Sequence, residues 1–284
     1  MHKTFLIGDF CFLLDYPEEL TPPPHFMVFE VPDGKVEYRY EIRLCGEIPQ
    51  PEGALIASRP DIRIYQNGEL ESRLIGIKGR ERFYACYRET TKYSAEIALD
   101  REAITDLNID PVFTSLLALE RRMAERGGMV LHCAYVRYQG EAILFSAPSE
   151  TGKTTQANLW AQHRCSETVN GDRALLQCVD GRWTARGWPV CGTSEVCYNQ
   201  DTPIRAIVML SQGKTDVVSR LRPMQAFSQL YGQITVNTWN KAFVQGNMDR
   251  IGALTTALPV YHLSCTISED AVRCLEGALY PQQA

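Results

Sequence analysis

Nine consecutive residues, Ala147-Pro148-Ser149-Glu150-Thr151-Gly152-Lys153-Thr154-Thr155, carry the densest chemical signal in the chain. They fit the spacing G-x-x-x-x-G-K-[ST], with Ala147 in place of the first glycine. A tight loop of this kind turns successive backbone N–H groups inward and makes a nest for phosphate oxygens. Gly152 lets the chain approach a ligand without a Cβ, Lys153 supplies a point charge to β- and γ-phosphates, and the Thr154 hydroxyl can ligate Mg²⁺. The helix expected next adds the partial positive charge of its N-terminus. Ser149 and Thr155 either add hydroxyls to the phosphate site or cap that helix. The pattern predicts ATP and Mg²⁺ as cofactors, held by residues 147–155.

A phosphate loop needs a strand before it and a helix after it. Gly140 to Ser146 is a short apolar run of the kind that forms a buried strand, and Thr155 to His163 holds good helix formers without Gly or Pro. Upstream, Met129 to Arg137 and Ala142 to Phe145 flank Gln139-Gly140 and read as a hairpin feeding the loop. Downstream, Asp172 follows Glu167-Thr-Val-Asn-Gly, and a second hairpin is expected around Asp180-Gly181. No segment of four apolar residues ending in aspartate follows the loop, unlike the alternating strand–helix NTPases. Hairpins on both sides predict a mixed, partly antiparallel sheet. Further on, Ala206 to Leu210 and Val260 to Thr266 read as strands, and 223–233 and 244–255 as helices.

Residues 1 to about 100 read as β-rich. Lys35 to Leu44 alternates, with Val36, Tyr38, Tyr40, Ile42 and Leu44 on one face, and Asn67-Gly68 joins a hairpin. Phe83 to Tyr87 and Tyr93 to Leu99 add strands, and Pro22-Pro23-Pro24 reads as a loop. Pro111 begins a helix with the stripe Phe113, Leu116, Leu117 and Leu119, ended by Gly127-Gly128. The expected division is therefore a β-rich domain over 1–105 and a nucleotide-binding catalytic domain over 106–284.

The chain has 284 residues, 45% hydrophobic and 22% charged, with a formal net charge of −5. This is the composition of a globular protein, and its acidity argues against nucleic acid or a membrane surface as partner. No apolar stretch is long enough for a spanning helix, and Asp9 interrupts the N-terminal apolar run, so no signal peptide is expected. The ten cysteines form no C-x-x-C pair, and Cys191 and Cys197 lack a second pair to complete a zinc site. A reducing, cytoplasmic setting fits them.

Three segments resemble the catalytic domain of the bacterial HPr kinase/phosphorylase family, which shares its fold with ATP-dependent phosphoenolpyruvate carboxykinase. Met129-Val-Leu-His132-Cys-Ala-Tyr-Val136 is similar to the family's histidine-bearing strand upstream of the loop, residues 147–155 to its phosphate loop, and Thr168-Val-Asn-Gly-Asp172-Arg173 to its strand ending in paired aspartates. The likeness spans roughly residues 110 to 215, and residues 1–105 do not share it. It implies an α+β fold: a PEP-carboxykinase-like P-loop domain with a mixed sheet, preceded by a smaller β-rich domain. It also implies a kinase that transfers the γ-phosphoryl group of ATP to a hydroxyl, a Ser or Thr of a small protein or peptide, and assembly as a homo-oligomer. The chain is more similar to the divergent members, some of which phosphorylate serine in small peptides.

On this resemblance the catalytic residues are Asp172, His132 and Lys153, and the metal ligands are Thr154 and Asp172, with Glu195 as a further carboxylate. Where the family has two aspartates, this chain has Gly171 and Asp172. The acidic pair divides proton transfer from metal binding, so Asp172 is base or metal ligand, and the reverse, phosphorolytic reaction loses support. Three alternatives stay open at this point: Asp172 as a turn residue, His132 as a core histidine, and Arg173 and Arg186 as surface residues rather than charge neutralisers. The segment from Trp188 to Glu195, and Asn237 to Asn240, read either as walls of an acceptor site or as packed turns. Two rival functions remain: a nucleotide-binding regulatory or assembly protein without transfer, and a kinase of a small alcohol such as free serine. A carboxykinase is disfavoured by the short chain and the incomplete aspartate pair.

Overall fold

The computed structural model describes residues 1–77, 79, 82–108 and 110–281. The chain is α+β with mixed sheets and divides into two compact units, Met1–Leu119 and Glu120–Ala284. The division falls beyond the residue-105 boundary read from the sequence.

Among the described residues, the first unit is built on a nine-stranded sheet. Its strands are β1 (His2–Ile7), β2 (Phe10–Asp15), β3 (Glu30–Val31), β4 (Tyr38–Cys45), β5 (Ala54–Arg59), β6 (Ile62–Asn67), β7 (Leu70–Gly76), β8 (Phe83–Thr91) and β9 (Ser94–Asp100). Their order is β3-β1-β2-β4-β9-β8-β7-β6-β5, antiparallel except for β2–β4 and β4–β9. The alternation in β4 buries Tyr38, Tyr40 and Ile42, as its pattern requires, but Val36 lies outside the strand and is exposed. Phe5, Phe10, Phe12 and Phe26 pack with Tyr38 and Tyr40 into one aromatic cluster. These rings are packing, not a binding surface.

Two sequence expectations are corrected here. The proline run is a loop only in part: Pro22 and Pro23 lie before the helix, and Pro24 occupies the first turn of α1 (Pro24–Met27), where its missing N–H costs nothing. The single helix expected from Pro111 is broken into α2 (Asp110–Ser115) and α3 (Leu119–Glu125). Ala118 takes a φ of 47°, which interrupts the helix, and Leu116, Leu117 and Leu119 are buried around the break.

The second unit contains β10 (Met129–Tyr138), β11 (Glu141–Ser146), α4 (Lys153–Arg164), β12 (Glu167–Asn170), β13 (Arg173–Val179), β14 (Arg182–Arg186), β15 (Thr202–Gln212), β16 (Val217–Arg220), α5 (Pro223–Tyr231), α6 (Lys241–Ala257), β17 (Val260–Cys265) and α7 (Glu269–Leu279). Both expected hairpins form. Gln139 and Gly140 join β10 to β11 with φ of 51° and 78°, and Asp180 and Gly181 join β13 to β14 with 49° and 78°, matching the right-handed twist of their strands.

β10 has three strand neighbours: it pairs with β11 over 133–138, with β12 over 135–137 and with β13 over 129–132. β11 runs parallel to β15, and β15 runs parallel to β17, with β14 pairing briefly to β15. Strands β11, β10, β13, β14 and β15 therefore close in a ring. Residues of β10 alternate between two cores. Leu131, Cys133 and Tyr135 join the core that contains Ala226 and Leu230 of α5 and Ile251 and Leu254 of α6. Ala134 and Val136 join the one that contains Ala157 and Trp160 of α4 and Val272, Leu275 and Leu279 of α7.

Candidate functional site

The His132–Cys133 step of β10, flanked by β11 on one edge and by the β12–β13 segment on the other, sets the site. Cys133 lies opposite Ser146, the last residue before the loop, while His132 lies opposite Arg173. One step along one strand thus brings the loop and Asp172 together. Two hydrogen bonds tie the junction: the Ser146 hydroxyl donates to the His132 carbonyl at 2.8 Å, and the Cys133 N–H donates to the Asp172 carbonyl at 2.9 Å.

The loop connects β11 to α4, with Gly152 as the N-cap at φ 114°. No L-residue adopts that conformation without strain, so glycine is needed. The first position is different. Ala147 is fully buried in the core and is not among the positive-φ residues, so its backbone demands no glycine. No side chain caps α4, so neither Ser149 nor Thr155 has the capping role. Its first-turn N–H groups are therefore available to a ligand. Thr154 is exposed at the helix start, as are Pro148, Ser149 and Glu150 before it.

Lys153 is nearly buried, and its ammonium donates to the carbonyls of Ala147 at 3.0 Å and Pro148 at 3.2 Å. Burial holds it below the ordinary lysine range, with Arg173 adding to the shift, while the Asp172 carboxylate pulls the other way.

Asp172 is held from three sides. His132 Nε2 stands 3.3 Å from its Oδ1, and Arg173 Nε stands 3.1 Å from its Oδ2. Asn170, fully buried, supports the turn: its Oδ1 accepts from the N–H groups of Asp172 at 2.9 Å and Arg173 at 2.8 Å. Burial is the largest single influence on the Asp172 carboxyl and pushes it up. The His132 hydrogen bond and the Arg173 and Lys153 charges outweigh burial and hold the carboxyl below the ordinary aspartate range. Arg173 also donates to the Thr235 hydroxyl at 3.2 Å. Cys133, fully buried beside this group, has its thiol pushed far up by burial and is no nucleophile at neutral pH.

Residues 188–198 form a strap across this turn. The Asn170 amide donates to the carbonyls of Trp188 at 2.8 Å and Val190 at 3.1 Å, Asn170 bridges to Cys197, and the Tyr198 N–H donates to the Val169 carbonyl at 3.0 Å. Between these anchors, Gly192 lies against Asp172: a Cβ there would sit 3.1–3.3 Å from the Asp172 Cβ, Cγ and Oδ1. Ser194 lies against Gly171, where a Cβ would overlap the serine side chain. Asn170, Gly192 and Ser194 carry the site's shape. Gly192 and Ser194 lie in the segment read from sequence as a wall or a packed turn, and Asn170 was given no role there.

Three other expected features have their own surroundings. Glu195 is exposed at the end of the short helical turn Gly192–Ser194. Arg186 pairs with Asp201 and with the Gln177 side chain. Asn240 caps α6 by accepting from the Phe243 N–H, and the Asn237 amide donates to Glu120.

Among the described residues no group of three or more His, Cys, Asp and Glu is placed to hold a metal. The donors near the loop, the Thr154 hydroxyl and the Asp172 carboxylate, are hard oxygens. These fit Mg²⁺, which is bound by one or two protein oxygens together with substrate phosphates and water.

An α+β unit in which a strand–loop–helix faces one anchored carboxylate is the class that this geometry defines. The family model described as "SynChlorMet cassette protein ScmC" matches residues 97–276, more than half of the chain, and the chain belongs to that family. No curated protein matches it. Among solved structures, the Hpr(Ser) kinase/phosphatase from Coxiella burnetii matches at 10% identity, over 53% of this chain and 92% of that one, with a TM-score of 0.31. Among the described residues, no helix is long and apolar enough to cross a membrane.

Proposed function

We propose that the chain is an ATP-dependent, Mg²⁺-requiring kinase that phosphorylates a hydroxyl, a Ser or Thr of a small protein or peptide. The observation that carries this reading is the pair His132–Cys133 in β10: Cys133 lies opposite Ser146, the residue before the loop, and His132 stands with Arg173 around Asp172.

The loop N–H groups and the first turn of α4 bind the phosphates, and Lys153 turns from the Ala147 and Pro148 carbonyls to the β- and γ-oxygens. Thr154, with the phosphates, would hold Mg²⁺, and the ion would supply charge neutralisation there. Asp172, ionised and oriented by His132, accepts the proton of the acceptor hydroxyl. The acceptor oxygen forms a bond to the γ-phosphorus. The bond from that phosphorus to the β,γ-bridging oxygen breaks, and its electron pair leaves on ADP. Arg173 steadies the carboxylate from its other oxygen. The nine-stranded unit is assigned to acceptor recognition.

The test is incubation of the purified chain with Mg-ATP and a panel of Ser/Thr peptides, small proteins and small alcohols including free serine, beside Lys153→Ala and Asp172→Asn. Transfer to a peptide or protein, lost in both variants, supports the reading; transfer that survives both overturns it. Transfer confined to a small alcohol assigns the acceptor to that class instead.

One observation favours a second reading, a nucleotide-binding regulatory or assembly protein: Ser194 fills the place beside Gly171 where a second carboxylate would stand. Tight Mg-ATP binding without turnover on any acceptor is its signature.

A further inference from the structure

A cleft of about 530 Å³ opens beside the phosphate loop, at the C-terminal ends of the parallel strands β11, β15 and β17. Its walls include Glu150 of the loop, Gln156 of α4, Gln212 at the end of β15, and Cys265, Thr266 and Ile267 at the end of β17. The carboxyl ends of parallel strands are where such sheets bind ligands, and this volume is that of a small-molecule site.

Three features define what the cleft takes. No Lys, Arg or His lines it among the described residues, and Glu150 is its one carboxylate, so it offers an anion no counter-charge. Gln156 is 2% exposed; its amide N donates to Cys265 Sγ at 3.2 Å and to the Thr266 carbonyl at 3.4 Å, while its Oε1 has no partner. A buried acceptor of this kind is completed by an N–H or O–H donor. Ile267, 79% exposed, offers apolar surface to a flat ring. The wall is braced, because Asp216 accepts from the Thr266 N–H at 2.7 Å and from the Ser268 hydroxyl at 3.3 Å.

We propose that this cleft is a nucleoside subsite. It takes the base and ribose of the nucleoside triphosphate whose phosphates lie on the loop, and Gln156 Oε1 receives a nucleoside N–H or O–H. The assignment rests on the loop reading given above and adds to it: the chain selects a nucleotide, not a polyphosphate chain.

Calorimetric titration of the full chain with Mg-ATP and with magnesium tripolyphosphate separates the two. ATP binds at least about tenfold more tightly, the worth of one good hydrogen bond. Gln156→Met removes most of that advantage and leaves tripolyphosphate affinity unchanged. Ile267→Asp, on the exposed rim where folding is not at stake, weakens ATP alone. Mg-ATP, and not tripolyphosphate, slows alkylation of Cys265. Equal affinity for the two ligands in the wild-type chain overturns the subsite and leaves the loop reading standing. An ATP advantage that persists in both variants also overturns it. Binding of neither ligand overturns the loop reading and the subsite together.

Discussion

The side chain of Ser194 fills the space that a Cβ on Gly171 would need. Its hydroxyl donates to the Cys191 carbonyl at 2.6 Å and accepts from the Val196 N–H at 3.3 Å, so it is held in place by its own strap. A second carboxylate at 171 is not merely missing: the fold has closed over its position, leaving Asp172 as the single acid between His132 and Arg173.

Restoring the acid should therefore fail. Gly171→Asp displaces Ser194 and destabilises the chain by about 1–3 kcal/mol, the usual cost of overpacking, with no gain in phosphoryl transfer. Ser194→Gly in the same chain recovers part of that loss. Thermal unfolding of the two single variants and the double variant checks this; additive losses would contradict the interlock.

Gly192 makes a second contact of this type, with Asp172. It has a φ of 60°, and a Cβ would press on the carboxylate from 3.1–3.3 Å. Gly192→Ala is expected to lower kcat by about tenfold or more, because a general base out of line loses much of its roughly 10²–10⁴-fold contribution. Mg-ATP affinity stays unchanged. A fall in affinity with kcat preserved would place Gly192 on the nucleotide side instead.

Much of this was legible and some of it was not. The strand–loop–helix around Lys153 and the two hairpins follow from local spacing, so sequence reading reached them, whereas His132 was set beside Asp172 only through the family resemblance. Ser194 and Gly171 lie 23 positions apart, and their fit is a tertiary contact that no local pattern announces. The cleft likewise gathers Gln156, Gln212 and Thr266 from three distant segments. α7 was missed although Ser268 caps it by accepting from the Ala271 N–H and Glu269 and Asp270 open its first turn. The break at Ala118 was missed because helix propensity favours alanine and burial overrode it.

The lowered Asp172 carboxyl sets the pH dependence. It faces His132 of β10, Arg173 of β13 and Lys153 of α4. Because its folded value lies below the unfolded one, its contribution to stability is present above the ordinary aspartate range and is lost as pH falls through the lowered value. With Asp172 as the base proposed above, transfer needs its ionised form, and the acid limb of kcat/KM is expected below that range. Arg173→Ala removes a charge that favours ionisation, and the limb moves to higher pH. A limb that does not move would show that Asp172 is not the titrating base.

Gly152 tests the loop backbone alone. A Cβ there meets nothing within 4 Å, so only its φ of 114° is at issue. Gly152→Ala is expected to cost about 1–2 kcal/mol of stability from the left-handed conformation and to weaken Mg-ATP and tripolyphosphate equally, as calorimetry would show.

The division of labour between Lys153 and Asp172 is tested most directly by measuring Mg-ATP binding and γ-phosphoryl transfer side by side in wild type, Lys153→Ala and Asp172→Asn. The expected result is weakened binding and lost transfer in Lys153→Ala. In Asp172→Asn, binding is retained while transfer falls by about 10²-fold or more. Transfer at wild-type rate in Asp172→Asn, or undiminished ATP affinity and turnover in Lys153→Ala, would contradict the account.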